Sequence, residues 1–296
     1  MRWFEHTISD QFFEVKPAGR SSKCRFKDWV LDDSFFEESP IKGGIKQAQK
    51  KLERLDFAYY SKSRNHLGGG VSQLSAYIEH GLIDPTEILK YIDTTNDREN
   101  AYRFLQQLSW RDFFAKRYKE NPETVWLDLQ PYKTGYETKD YSNELPTDIA
   151  EGNTEVAVIN QFIAEMKKNG YLHNHARLYL ASYIVHWRKV KWQVGARWML
   201  KYLLDGNIAS NNYSWQWVAS TGSNKPYIFN LDNVRKYVPA EEYNLSSENN
   251  AAIAASYETL NKKLFIRSIS GGSDSVSSVK SEAAIVRIKE MKIQGP

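Results

Sequence analysis

Between Asp205 and Gly222 the chain reads DGNIASNNYSWQWVASTG, an Asp-Gly pair followed by adjacent asparagines and two tryptophans one residue apart. Side-chain amides hydrogen-bond to the edges of a ring without adding charge, and indoles either fill a core or stack on a planar ligand. If 208 to 218 is helical, two residues advance the helix by about 200°, so Trp215 and Trp217 point to nearly opposite sides. One indole then faces the core and the other a cavity, with Asn211 on the inner side, one turn before Trp215. Structural glue and a site for a flat, polar-edged cofactor are both open at this point.

Two further segments carry candidate chemistry. In GYLHNHARLYLASY, a helix beginning near His173 puts His173, Arg177 and Ala181 on one face and Asn174, Leu178 and Ser182 on the adjoining one. Arg177 stands in an otherwise apolar run and needs a carboxylate partner if buried; Asp205 is the natural candidate. The histidines lack an HExxH frame, so no metal is expected. In RNHLGGGVSQLSAYIEHG, glycines allow close backbone approach, and hydroxyls at a helix start can donate to a phosphate. There is no Walker lysine or GxGxxG spacing, and a Gly-rich turn before a capped helix is the commoner explanation.

The elements that must position these residues read as helices. Asp84 before Pro85 is an N-cap followed by a proline at the first helical position. RENAYRFLQQLSWRDFFAKRYKENP runs helical until Asn121-Pro122, and a polar, turn-rich stretch follows from about Thr134 to Asn153. Helices are then expected over about 155–168, 174–188 and 194–204. Strand-like alternation is scarce and no βαβ alternation occurs, so the fold class is all-α. The organisation expected is a lead-in over 1–39, a helical body over 40–240 and a flexible tail over 241–296. That tail is rich in Ser, Asn, Ala and Gly, and one short helix at most is expected within it.

Composition narrows the function classes. Of 296 residues, 41% are hydrophobic and 26% charged, as in ordinary globular proteins, while 9 Trp, 18 Tyr and 13 Phe raise the prior for a planar ligand. The formal charge of +4 permits a polyanionic partner only where cations cluster, as in HWRKVKWQVGARWMLK, with Arg188, Lys189, Lys191, Arg197, Lys201 and no acid. A solvated helix face is the simpler account of that run. The single Cys24 excludes an internal disulfide framework, and no apolar run is long enough to span a bilayer. A soluble, intracellular protein is expected, with no membrane partner; oligomeric state is not legible.

The run 205–222 resembles the signature DGDxAxNNxxWQWxASTG of the FAD-binding helical domain of DNA photolyases and cryptochromes. In family order, GGGVSQLSAYIEHG resembles the TSxLSxxLxxG phosphate segment, FLQQLSWRDFF the ELxWRxF helix and GYLHNHARLYLASY the GWxHNRxRMxxAS helix. The resemblance covers about residues 40 to 237 and implies FAD as cofactor, without the antenna chromophore domain usual in the family. It implies light-driven electron transfer to cyclobutane pyrimidine dimers in DNA; the alternative is a cryptochrome-like photoreceptor or redox flavoprotein without repair. As cofactor-binding positions it implies Tyr60, Ser72, Gln73, Leu74, Ser75, Phe104, Trp110, Arg111, Asn174, Arg177, Asp205, Gly206, Asn207 and Asn211.

For substrate it implies Gln107, Trp110, Asn174, His175, Leu178 and Trp217, with Trp110 and Trp217 flanking the lesion. Trp215 and Trp192 match the first two members of an electron-transfer chain that reduces the flavin; Tyr136 and Tyr141 are candidates for the third. The pattern departs from the family at Gln107 for a glutamate, His175 for an arginine, Leu178 for a methionine and Val71 for a threonine. Glutamine at that place also occurs in the cryptochrome-DASH branch, where single-stranded, UV-damaged DNA is the favoured partner.

Overall fold

The computed structural model describes Ser39 and residues 41–266. The lead-in expected over 1–39 lies outside these except for Ser39, as does the chain beyond 266. The described residues form helices, and their only β-type pairing is an isolated bridge between Ser142 and Val190.

Five helices come first: α1 Ile45–Glu53, α2 Phe57–Ser63, α3 Ser75–Glu79, α4 Pro85–Thr94 and α5 Arg98–Glu120. Helix α4 starts as its sequence dictates. The Asp84 carboxylate accepts from the Thr86 amide at 2.7 Å while Glu87 reaches back to the Asp84 amide, a reciprocal capping box. Helix α5 runs its full expected length and stops at Asn121, ahead of Pro122. Leu52, Phe57, Tyr60, Leu74, Tyr77, Ile88, Ile92 and Phe104 pack these helices into one core.

After the turn-rich stretch come α6 Thr147–Glu151, α7 Ala157–Asn169, α8 Asn174–Ser182, α9 Trp192–Leu200, α10 Ile208–Ala219 and α11 Leu231–Tyr237. A helix expected to run unbroken to Arg188 instead widens into a π-turn over Tyr183–Trp187. The fully buried His186 in that turn places Nε2 2.9 Å from the Val218 carbonyl, tying the turn to α10. Wide turns of this kind cost backbone geometry and persist where a side-chain contact holds them. A second core, centred on Phe162, Tyr179, Trp192, Trp215, Val218 and Phe229, joins these helices. Helix α5 packs against α2 on one side and α10 on the other.

The tail expected to be flexible from 241 is instead folded as far as the described residues reach. A 3-10 turn at Glu248–Ile253 and helix α12, Tyr257–Leu264, close onto the body. Most of its apolar residues are used: Ile253 joins the main core, and Leu260, Leu264 and Phe265 pack against Trp187 and Ile228, while Ile266 stays exposed. Buried Asn250 accepts from the Val158 amide at 3.0 Å and donates to the Asn244 and Ser246 carbonyls. A low average content of core formers does not reveal that Ile253, Leu260, Leu264 and Phe265 each have a partner in the body.

Candidate cofactor cavity

A cavity of about 290 Å³ lies where α3, α5, α8 and α10 converge. Each long helix presents a stripe at three- and four-residue spacing: Phe104, Gln107, Leu108 and Arg111 from α5; Asn174, Arg177, Leu178 and Ala181 from α8; Asn207, Ser210, Asn211, Ser214, Trp215 and Val218 from the start and body of α10. The turn ahead of α3 adds Ser72, Gln73, Leu74 and Ser75, with Gln73 at a left-handed φ of 49°.

At the base of the cavity is the ion pair expected from sequence. Arg177 Nη2 lies 2.9 and 3.0 Å from the two Asp205 oxygens, and Ser75 Oγ donates to Oδ2 at 2.5 Å. The Arg177 Nε also donates to the Leu172 carbonyl at 2.7 Å. Asp205 is 5% exposed at its side chain, so the carboxylate's charge is met by the guanidinium and the hydroxyl rather than by water.

Other expected site residues divide. Tyr60, Ser72, Gln73, Leu74, Ser75, Phe104, Gln107, Trp110, Arg111, Asn174, Arg177, Leu178, Asp205, Asn207, Asn211 and Trp215 all line the cavity. Four do not. Gly206 serves a tight turn in which an added Cβ would stand 2.9 Å from the Leu203 carbonyl oxygen. Trp192 is fully buried away from the cavity, its Nε1 donating to Asp128 at 2.6 Å. His175 lies in an aromatic nest, 4.4 Å from the Tyr179 ring centroid and 4.7 Å from that of Tyr237, with Nδ1 2.8 Å from the Asn65 carbonyl. Burial lowers its pKa and keeps it neutral, unlike the arginine it replaces. Trp217 packs against Tyr227, centroids 5.4 Å apart, so the cavity-facing indole of the pair is Trp215 and not Trp217.

The amides of the opening stretch also separate by role. Asn212 and Gln216 are fully buried and bind the 124–129 segment: Asn212 Nδ2 donates to the Val125 carbonyl, and Gln216 joins Thr124 and Leu129. Asn207 caps α10 by accepting from the Ser210 amide at 2.9 Å and donates to Glu79, which also pairs with Arg111. Asn211 donates to Asn212 and to the Ala196 carbonyl. Glue and cavity wall are thus alternate faces of one helix.

Three of the five cations in the basic run are engaged within the fold. Arg188 forms two hydrogen bonds with Asp148, at 2.7 and 3.0 Å. Lys189 donates to the His186 and Leu264 carbonyls and lies over Tyr136, and burial pushes its pKa down to about 8. Arg197 sits 4.6 Å from the Trp126 ring centroid.

Sequence reasoning missed Ser210 and Ser214, although their spacing with Asn207 and Asn211 is the helical signal that would have found them. It also missed Trp126, whose ring is parallel to Trp192 within 2° at 6.3 Å. Nothing in the sequence marks that contact, which joins segments far apart in the chain.

The cavity residues fit FAD. Leu74, Phe104, Met199, Leu203 and Trp215 offer apolar walls for a flat ring, and the hydroxyls, amides and Arg177 offer a few directed polar groups. The Ser210 Oγ is buried in this wall with no hydrogen-bond partner among the described residues, an orphan that a ligand's polar edge would satisfy.

Residues 104–245 match the family described as the FAD binding domain of DNA photolyase. The deoxyribodipyrimidine photo-lyase of Halobacterium salinarum is 28% identical over 183 residues, 58% of this chain and 38% of the relative. That of Streptomyces griseus is 29% identical, covering 56% and 36%. The mitochondrial enzyme of Saccharomyces cerevisiae is 26% identical, covering 80% and 42%. The chain thus spans about two fifths of the length of these relatives. In fold it resembles a class III photolyase from Agrobacterium tumefaciens (TM-score 0.60, 21% identity, 75% of this chain and 49% of that one). It also resembles a Synechocystis cryptochrome (TM-score 0.63, 18% identity, 74% and 48%). Over residues 104–245 the chain is thus similar to the FAD binding domain of DNA photolyase, and it shares the helical fold of these photolyase and cryptochrome structures.

Proposed function

We propose that this protein binds FAD in the α3/α5/α8/α10 cavity and uses blue light to repair pyrimidine dimers in DNA. The observation that carries this reading is the convergence on one cavity of the Arg177–Asp205–Ser75 network, Asn211, Trp215, Trp110 and Gln107. When bound, FAD supplies light-driven one-electron chemistry. Arg177 and Asp205, with the Ser75 hydroxyl bound to Asp205, would give the ring a fixed, charge-balanced wall, and Ser72 and Gln73 would hold the diphosphate. Gln107 and Trp110 offer an amide and an indole to a base extruded from the stack, where such a lesion becomes accessible. Trp215 in the wall and the buried Trp192, with Trp126 stacked parallel to Trp192, would provide the aromatic rings of the electron-transfer chain, with Trp126 in the third place.

The test illuminates reduced, FAD-loaded protein with a dimer-containing single-stranded oligonucleotide. Intact thymines should return in the light; no recovery above the dark control overturns repair.

A second reading, a photoreceptor or redox flavoprotein without repair, draws on Gln107 in a glutamate's place and on the internal engagement of Arg188, Lys189 and Arg197. Under either reading Trp215→Phe should nearly abolish photoreduction of oxidised flavin. Photoreduction without repair selects the second.

A further inference from the structure

Arg188, Lys189 and Arg197 are engaged within the fold, and a second group of cations lies beside the Gly-rich turn. A groove of about 390 Å³ shares Val71 and Ser72 with the flavin cavity. Its walls are the last turn of α1, the start of α2 and the backbone of the Gly-rich segment. Lys50, Lys51 and Arg54 line it, and among the described residues none of them is ion-paired.

The lone carboxylate on the wall, Asp56, accepts from the Tyr59 amide at 2.8 Å as the cap of α2. Lys51 is half-buried and donates to Gln73 Oε1, a neutral partner. Desolvation lowers its pKa with no opposing acid to restore it. The pull of the α1 C-terminus accounts for lysines in that last turn, but not for a groove that gathers them around an aromatic ring.

That ring is Tyr59, 51% exposed and lying flat enough on the backbone that a Cβ at Gly70 would stand 2.4 Å from it. Glycine at 70 is what lets the ring lie there. Cations beside an exposed aromatic ring, in a groove of this volume, match the two parts of a nucleotide: phosphates that need positive charge and a base that stacks.

We propose that the groove binds the phosphate group of a nucleotide, with Lys50, Lys51 and Arg54 facing the anion and Tyr59 the base. The groove shares Val71 and Ser72 with the flavin cavity, but its three cations and Tyr59 line the groove alone, so the proposal does not depend on the flavin reading. The nucleotide has two possible sources, a free nucleoside diphosphate or a unit of a single-stranded nucleic acid.

The experiment uses the full chain saturated with FAD, with ADP and a labelled ten-residue thymidine oligonucleotide as separate probes. Binding of either supports the site if substitution of Lys50, Lys51 and Arg54 together by Gln weakens it at least about tenfold. Preference for ADP identifies the free nucleotide. Preference for the oligonucleotide identifies the strand; its log affinity against log salt should then lose a slope of about 2 in the triple variant, at roughly 0.7 per phosphate contacted. Tyr59→Leu should weaken the favoured probe about fivefold or more while Tyr59→Phe leaves it unchanged. The proposal is overturned if neither probe responds to the triple substitution. It is equally overturned if Asp205→Asn in the flavin cavity abolishes probe binding, or if added FAD displaces the probes. Failure to take up FAD, by contrast, would sink the flavin reading and leave this test intact through the Asp205→Asn arm.

Discussion

Gly195 is the point at which the cavity can be perturbed without touching a polar group. It lies within α9, and a methyl built there falls 2.3 Å from Cη2 and 2.5 Å from Cζ3 of Trp215, and 3.1 Å from Cγ2 of Ile184. Ordinary contact begins near 3.4 Å, so Gly195→Ala requires the indole to retreat by about 1 Å. Trp215 is 2% exposed and its free side is the cavity, so retreat moves the ring into the space the cofactor requires. Overpacking of a dense core costs about 1–3 kcal/mol. The alanine regains about 0.5–1 kcal/mol of helix stability over glycine. A net loss of about 1–2 kcal/mol is expected in urea unfolding of the FAD-free protein. FAD affinity, followed by flavin fluorescence, should fall about tenfold, equivalent to about 1.4 kcal/mol for a displaced wall. Gly68→Ala, whose Cβ meets nothing within 4 Å, is the control and should change neither quantity. If Gly195→Ala keeps both wild-type stability and wild-type FAD affinity, the packing described between α9 and α10 is wrong.

Two other outcomes follow from the buried polar groups. Asp205→Ala leaves the Arg177 guanidinium beside an apolar wall; the loss should be about 3 kcal/mol in urea unfolding, at the low end for a broken buried pair because Arg177 remains 21% exposed. A loss under about 1 kcal/mol would mean that water replaces the carboxylate. Burial pushes the pKa of His186 down to about 3 and that of His173 down to about 4, against about 6.5 in the unfolded chain. Between about pH 6.5 and 4 both rings are therefore neutral when folded and protonated when unfolded. Stability should fall as pH falls through that window, by about 2.7 kcal/mol per pH unit for two protons. His186→Gln should halve their share of the slope, and an unchanged slope would exclude His186 as a contributor.

The helical body was legible because its signals are local. Asp84-Pro85, Asn121-Pro122 and the three- and four-residue apolar spacing fix helix ends and faces within a few residues, and dense motifs brought Arg177 to Asp205. What escaped depended on contacts between distant segments. The π-turn at Tyr183–Trp187 answers to a carbonyl on α10, and Trp126 finds Trp192 across many intervening residues. The basic run reads as a face until Asp148 and Tyr136 are seen to occupy it. The resemblance sets Trp217 beside a lesion, while helical angle separates the two indoles without saying which neighbour each one meets.

The Asn250 side chain accepts the amide of Val158, in the first turn of α7, from 92 positions further along the chain. On a ribosome, residue 158 emerges long before residue 250, so α7 is made with that donor unmet and must hold it in water until the later segment arrives. Native closure of this helix start therefore waits for the segment around residue 250, and a chain arrested near residue 240 would carry every cavity residue yet lack the amide that finishes α7.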